Sequence, residues 1–86
     1  MKLIDFYADW CGPCKMLSPI LEKVANERNM ELIKINIEED SDGMTANYGV
    51  RGIPTVIVLD ENDEIGRFTG AKSEGDLNTF FDSLKK

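Results

Sequence analysis

The sequence contains no histidine. That absence excludes Ser-His-Asp and Cys-His catalysis and removes the commonest metal ligand. Proton transfers must then fall to carboxylates, lysines, tyrosines, water or thiols. No apolar run is long enough to span a bilayer, so no membrane partner is expected. The first residues, Met1-Lys2-Leu3-Ile4-Asp5, do not read as a signal peptide: Asp5 breaks the apolar run and no small-residue cleavage site follows. Positive charge is scarce. Ten Lys and Arg face sixteen Asp and Glu, for a net charge of −6, which argues against nucleic acid as a partner. A phosphate-cradling glycine loop and a nucleophile-elbow serine are both missing. The acidic stretches do not form a calcium loop either. Counted from Asp60, the required glycine and glutamate positions fall on Ile65 and Ala71, and Glu38 to Asp42 fails similarly with Thr45 and Arg51. There is no internal repeat, linker or low-complexity tract.

What is present suits one small globule. A chain of 86 residues, 42% hydrophobic, makes a single domain over residues 1–86. Such a domain buries only about 60–65% of its unfolded surface, so the core is modest. A cytoplasmic monomer is expected. In a reducing compartment two cysteines read more readily as catalytic or metal-binding than as a permanent staple.

Taken in order, residues 2–8 read as a buried strand with one carboxylate inside it. From Pro13 to about Arg28, Met16, Leu17, Ile20, Leu21, Val24 and Ala25 recur at helical spacing and form one apolar face. Pro13 suits the first turn, and Pro19 should kink the helix. Glu31 to Ile37 reads as a second strand. A short helix carrying Met44 and Tyr48 should end at Gly49. Arg51 to Pro54 is a loop, and Thr55 to Leu59 a third strand. Asp60 to Asp63 makes a tight turn in which Asn62 can take positive φ, and Glu64 to Thr69 returns as a hairpin strand. Ser73-Glu74-Gly75-Asp76 resembles a capping box before a last helix striped by Leu77, Phe80, Phe81 and Leu84. The order β-α-β-α-β-β-α places the chain in the α/β class, with a right-handed crossover first and a hairpin later.

The whole is organised around Trp10-Cys11-Gly12-Pro13-Cys14, where the first strand hands over to the first helix. Side chains at i and i+3 on one turn lie about 5–6 Å apart at Cβ, close to disulfide reach. The positive end of the helix favours a thiolate, most of all at Cys11, and Lys15 adds a cation. Cys14 is set back by one turn. A thiol–disulfide exchange centre follows: Cys11 attacks a substrate disulfide and Cys14 resolves the mixed disulfide. Two other readings compete. A structural bridge closing so short a loop would add only roughly 2 kcal/mol. A zinc site needs four ligands, which one copy of this chain does not supply as Cys or His, although a dimer could share the metal.

Phe6-Tyr7-Ala8-Asp9-Trp10-Cys11-Gly12-Pro13-Cys14-Lys15-Met16 closely resembles the active-site stretch of thioredoxins, Arg51-Gly52-Ile53-Pro54-Thr55 their second signature loop, and Gly70-Ala71 a third. The resemblance runs from Lys2 almost to the C-terminus. It implies a thioredoxin fold with a four-stranded mixed sheet, and a cis proline at Pro54 facing the cysteines. It also implies a docking surface of Trp10, Gly12, Pro13, Val50, Ile53, Pro54 and Gly70 for an extended substrate segment paired to the backbone at Ile53. Core packing is the plainer reading of Val50 and Ile53. Asp5 interrupts an otherwise apolar strand, so it should be buried, with a raised pKa suited to taking the Cys14 proton through a water. It matches the family's buried aspartate, and Lys34 matches the lysine near it. Alternatively Asp5 faces a solvated edge and Lys34 snorkels to water.

The chain departs from the family pattern in lacking the usual first strand and helix, which leaves the 31–37 strand at the sheet edge. Tyr7 stands where tryptophan is more usual, and the turn at Asn62 lacks a glycine. The expected activity is reduction of protein disulfides without an organic cofactor or metal, with a thioredoxin reductase or glutathione as electron donor. A glutaredoxin-like protein recharged by glutathione, or a binding module in which redox turnover is incidental, are the alternatives.

Overall fold

The computed structural model describes residues 1–84; Lys85 and Lys86, counted above in a single domain over residues 1–86, lie outside the described residues. The elements are β1 (Lys2–Tyr7), α1 (Gly12–Glu27), β2 (Glu31–Asn36), α2 (Met44–Asn47), β3 (Thr55–Asp60), β4 (Asp63–Thr69) and α3 (Glu74–Ser83), with a 3-10 turn at Ile37–Glu39. This is the predicted order, apart from the 3-10 turn, which falls where a plain connection was expected. The sheet has four strands in the order β2-β1-β3-β4. β1 and β2 run parallel, and the other neighbours run antiparallel. No helix among the described residues is long and apolar enough to cross a membrane.

Alternation along β1 divides the core. Leu3 faces α1 and α3, where it joins Leu17, Leu21, Val24, Val56, Val58, Leu77 and Phe81. Ile4 and Phe6 face the other way, onto Ile57 and Leu59, with Met44 of α2 and Tyr48 just after it packed against them. The sheet is thus a middle layer between α1 with α3 and the small α2. Leu17 and Leu21 are fully buried, and truncating either to alanine would cost about 2–5 kcal/mol.

The buried stripe of α1 is Cys14, Leu17, Leu21, Val24 and Ala25. Met16, expected on that face, is instead 69% exposed. It sits about 100° round the helix from Leu17, on the flank of the stripe. Pro19 lies within α1 on an exposed face, and the helix continues through it. Two caps match the sequence reading. Ser73 Oγ accepts the Asp76 N–H at 3.1 Å to start α3, and Gly49 takes φ 65° just after α2. A further cap on α2 comes from Asp40, whose carboxylate accepts the N–H groups of Met44 and Thr45. In the β3–β4 turn both Glu61 (φ 53°) and Asn62 (φ 75°) are left-handed. That geometry suits the twist of a two-residue hairpin.

Strand register decides where the loops gather. Tyr7 pairs with Asn36, Phe6 with Thr55, and Thr55 with Thr69, so all four strands share one end there. The segments after β1, β2 and β4 and the one before β3 all emerge at that end. β2 lies at the sheet edge, as expected, with Glu31 and Lys34 exposed.

Candidate active site

The cysteines sit where β1 meets α1. Cys11 is the N-cap residue, with extended backbone, and its Sγ accepts the N–H of Cys14 at 3.2 Å. One of the helix's free N–H groups is thereby satisfied by sulfur. The two residues are joined as a disulfide, with Cα atoms 5.3 Å apart. Cys11 was expected to be the open thiol and Cys14 the recessed one. In this oxidised form both are only 5% exposed. The reason is packing: Ala8 and the two cysteines form one small cluster, covered by Tyr7, Ile37 and Ile53.

Behind Cys14 lies a cavity of about 160 Å³ lined by Asp5, Tyr7, Ala8, Asp9, Cys14, Lys15, Ser18 and Lys34. Asp5 is 2% exposed, and its Oδ1 has no hydrogen-bond partner among the described residues. Burial pushes its carboxyl up from 3.8 to about 6, opposed by the Lys34 charge and assisted by Glu22. The solvated-edge alternative for Asp5 is thereby set aside.

Lys34 is the cross-strand neighbour of Asp5. It therefore projects from the same face of the sheet. Its ammonium is bound elsewhere, however. Nζ donates to Ser18 Oγ and to Glu22 Oε2, both at 2.7 Å, and lies 5.7 Å from the centre of the Tyr7 ring. So Lys34 both lines the cavity and reaches toward water. Neither Ser18 nor Glu22 was singled out from the sequence. Their spacing was the available signal: Cys14, Ser18 and Glu22 follow one another at four-residue intervals, one face of a helix.

On the other side of the disulfide, a groove of about 330 Å³ is lined by Trp10, Ile37, Thr45, Val50, Arg51, Gly52 and Ile53. Trp10 is 65% exposed, and its Nε1 donates to Glu38 Oε2 at 3.0 Å. Glu38 is a second residue that the sequence did not single out. Val50 and Ile53 are half-buried against the α2-side core and also line the groove.

The Ile53–Pro54 peptide is cis, as the resemblance implied. Pro54 itself corrects an expectation: its ring is fully buried rather than part of an open surface. It is the residue just before β3, drawn under the sheet end, and its carbonyl accepts the Gly70 N–H at 2.8 Å. Gly70 has φ 97°, open to glycine and unfavourable to other residues. Gly12 and Pro13 are exposed at the start of α1.

Residues 1–83 match the sequence model of the Thioredoxin family. A thioredoxin from Pseudomonas aeruginosa is 40% identical over 83 residues, spanning 94% of this chain and 76% of that one. One from Chlamydia caviae is 46% identical over 78 residues, spanning 90% and 76%. Among solved structures, a mutant thioredoxin from Halobacterium salinarum NRC-1 matches with a TM-score of 0.86 at 34% identity, covering 99% of this chain and 74% of that one. Sequence, topology and the bridged cysteine pair agree: the chain belongs to the thioredoxin family, dithiol–disulfide oxidoreductases that act on protein disulfides and draw electrons from a reductase.

Proposed function

We propose that Cys11 is the nucleophile of this oxidoreductase, Cys14 the resolving thiol and Asp5 the proton acceptor for Cys14. The observation that carries this reading is the division of surroundings. Cys11 Sγ takes the first-turn N–H bond at the positive end of α1, while Cys14 shares a cavity with a buried carboxyl whose Oδ1 is unpartnered among the described residues. The first arrangement stabilises negative charge on sulfur. The second provides a base with a pKa near neutrality.

The reaction then runs in two exchanges. Cys11 thiolate attacks one sulfur of the substrate disulfide. That S–S bond breaks, a Cys11–substrate disulfide forms, and the departing thiolate takes a proton from water. Cys14 passes its proton to Asp5 and attacks Cys11 Sγ. The substrate's second thiolate leaves and is protonated, and the Cys11–Cys14 bridge closes. Two electrons and two protons have passed to the substrate. The intramolecular step is fast because the second thiol is held beside the first.

Lys34 tempers the charge on Asp5 from the cavity rim. The groove beside Trp10, Val50 and Ile53 receives the substrate segment, with Gly12 and Pro13 at its approach, and Pro54 and Gly70 hold the Ile53 backbone in position for strand-like pairing. No organic cofactor is required, since the electrons reside in the cysteine pair. A thioredoxin reductase supplies them, and a monomer suffices.

The test is alkylation of the reduced protein across pH. Cys11 should react at pH 7 well above the rate of an ordinary peptide thiol, and equal rates would overturn its role. Recycling of the oxidised protein by glutathione alone, as efficient as by a reductase with NADPH, would overturn the assignment of donor.

A further inference from the structure

The mechanism leaves Ser18 and Glu22 without a part. They nevertheless bind a residue, Lys34, that lines the cavity in which the proton transfer is placed. Ser18 lines that cavity, and its hydroxyl donates to Glu22 Oε2 at 3.0 Å. Both then receive the Lys34 ammonium at 2.7 Å. Lys34 starts from the residue directly opposite Asp5 in the sheet, yet no ion pair joins the two among the described residues. An unpaired buried carboxylate next to a lysine would normally draw the ammonium in. Here α1 holds it outward.

We propose that Glu22, assisted by Ser18, is a positioning residue for the reaction: it anchors Lys34 at the cavity rim, off the Asp5 carboxyl, and so governs how firmly Asp5 holds a proton. The proposal rests on the reading of Asp5 as the proton acceptor for Cys14.

Charged and titratable groups from three elements and one loop surround Asp5. β2 presents Lys34 and α1 presents Cys14, Lys15 and Glu22. The segment after β1 presents Asp9, and β1 itself Tyr7. β3 places only Val56 opposite, an apolar neighbour. The Lys34 charge pulls the Asp5 proton off and the Glu22 charge helps retain it. Glu22 therefore acts twice in one direction: directly as an anion, and by neutralising and restraining the cation. Its own carboxyl is held below the usual range, first by the hydrogen bond from Lys34 and then by that from Ser18, so it stays charged throughout the neutral range.

The experiment follows the Asp5 carboxyl carbon by NMR through a pH titration of the oxidised protein, where neither cysteine titrates. In Glu22→Gln the Asp5 midpoint should fall by about half a pH unit or more. Lys34→Gln should raise it. With Lys34→Gln already in place, Glu22→Gln should have a clearly smaller effect, because most of its action passes through the lysine. Glu22→Asp should restore part of the shift. An unmoved midpoint in Glu22→Gln overturns the proposal. So does an equal shift with and without Lys34, which would make Glu22 a distant charge only. Both side chains of the ion pair are substantially exposed, so these variants keep the core intact. The catalytic reading is tested separately by the pH dependence of Cys14 attack in Asp5→Asn. If that profile is unchanged while the carboxyl midpoint still moves in Glu22→Gln, the proton-acceptor reading fails and the positioning effect stands.

Discussion

Asp5 and Cys14 lie on different elements, a central strand and the first turn of a helix, yet they line one cavity, and among the described residues the Asp5 Oδ1 has no hydrogen-bond partner there. An acid in that state burdens the fold. Its ordinary value of 3.8 is raised to about 6 in the folded protein. Below pH 3.8 folded and unfolded chains both hold the proton, and there is no penalty. Between 3.8 and about 6 the unfolded chain releases its proton first, so the folded state loses stability as pH rises. Above that window the loss amounts to about 3 kcal/mol. Replacing Asp5 by asparagine should therefore stabilise the protein at pH 8 and change little at pH 4. Urea unfolding at both values checks this, and a gap between variant and parent that is the same at both would contradict a buried, raised acid.

The division of labour between the sulfurs predicts a trapped intermediate. Cys14→Ser should accumulate a mixed disulfide with a substrate protein and lose turnover by at least about a hundredfold, because the tethered second thiol is gone. Cys11→Ser should form no adduct at all. Mass spectrometry of the non-reduced reaction distinguishes the two, and adduct formation by Cys11→Ser would reverse the roles.

Trp10 is exposed beside the disulfide and fixed by Glu38, so its indole should contribute to substrate docking rather than to stability. Trp10→Ala should lower kcat/KM for a protein disulfide about tenfold. The rate with a small aromatic disulfide should be nearly unchanged. Equal losses with both substrates would point to an effect on the cysteines themselves.

The hairpin turn carries two residues at positive φ, one of them glutamate. Exchanging the pair for the preferred Asn-Gly (Glu61→Asn with Asn62→Gly) should raise stability by about 1 kcal/mol without altering redox rates. Thermal unfolding measures it, and an unchanged or lowered midpoint would mean that the strain is relieved some other way.

How far the sequence revealed all this depends on how local each feature is. The strand-to-helix handover at Cys11, the Ser73 cap and the stripe of Leu17, Leu21 and Val24 rest on neighbours within a few residues, and they were legible. So was burial of Asp5, because the residues around it in β1 are apolar. The destination of the Lys34 ammonium was not. Three acceptors compete for it, one across the sheet and two on α1, and only the packing of α1 on β2 decides. Glu38 was hidden for a similar reason: its bond to Trp10 spans the ends of two separate strands. The covered state of Cys11 and the buried ring of Pro54 are likewise tertiary outcomes. Each depends on how the segment before β3 closes over the turn after β1.

The two inner strands of the sheet, β1 and β3, each border one reactive loop: Cys11 follows the first and Pro54 precedes the second. Both strands have partners on either side and bury most of their residues, whereas β2 and β4 have a partner on one side only. In a deuterium-labelling experiment the amides of Leu3 to Phe6 and Val56 to Leu59 should therefore exchange last, at the limit set by whole-molecule opening. The mounting points of the chemistry thus share the slowest-breathing part of the protein, and fraying at the margins leaves the alignment of the reacting atoms undisturbed.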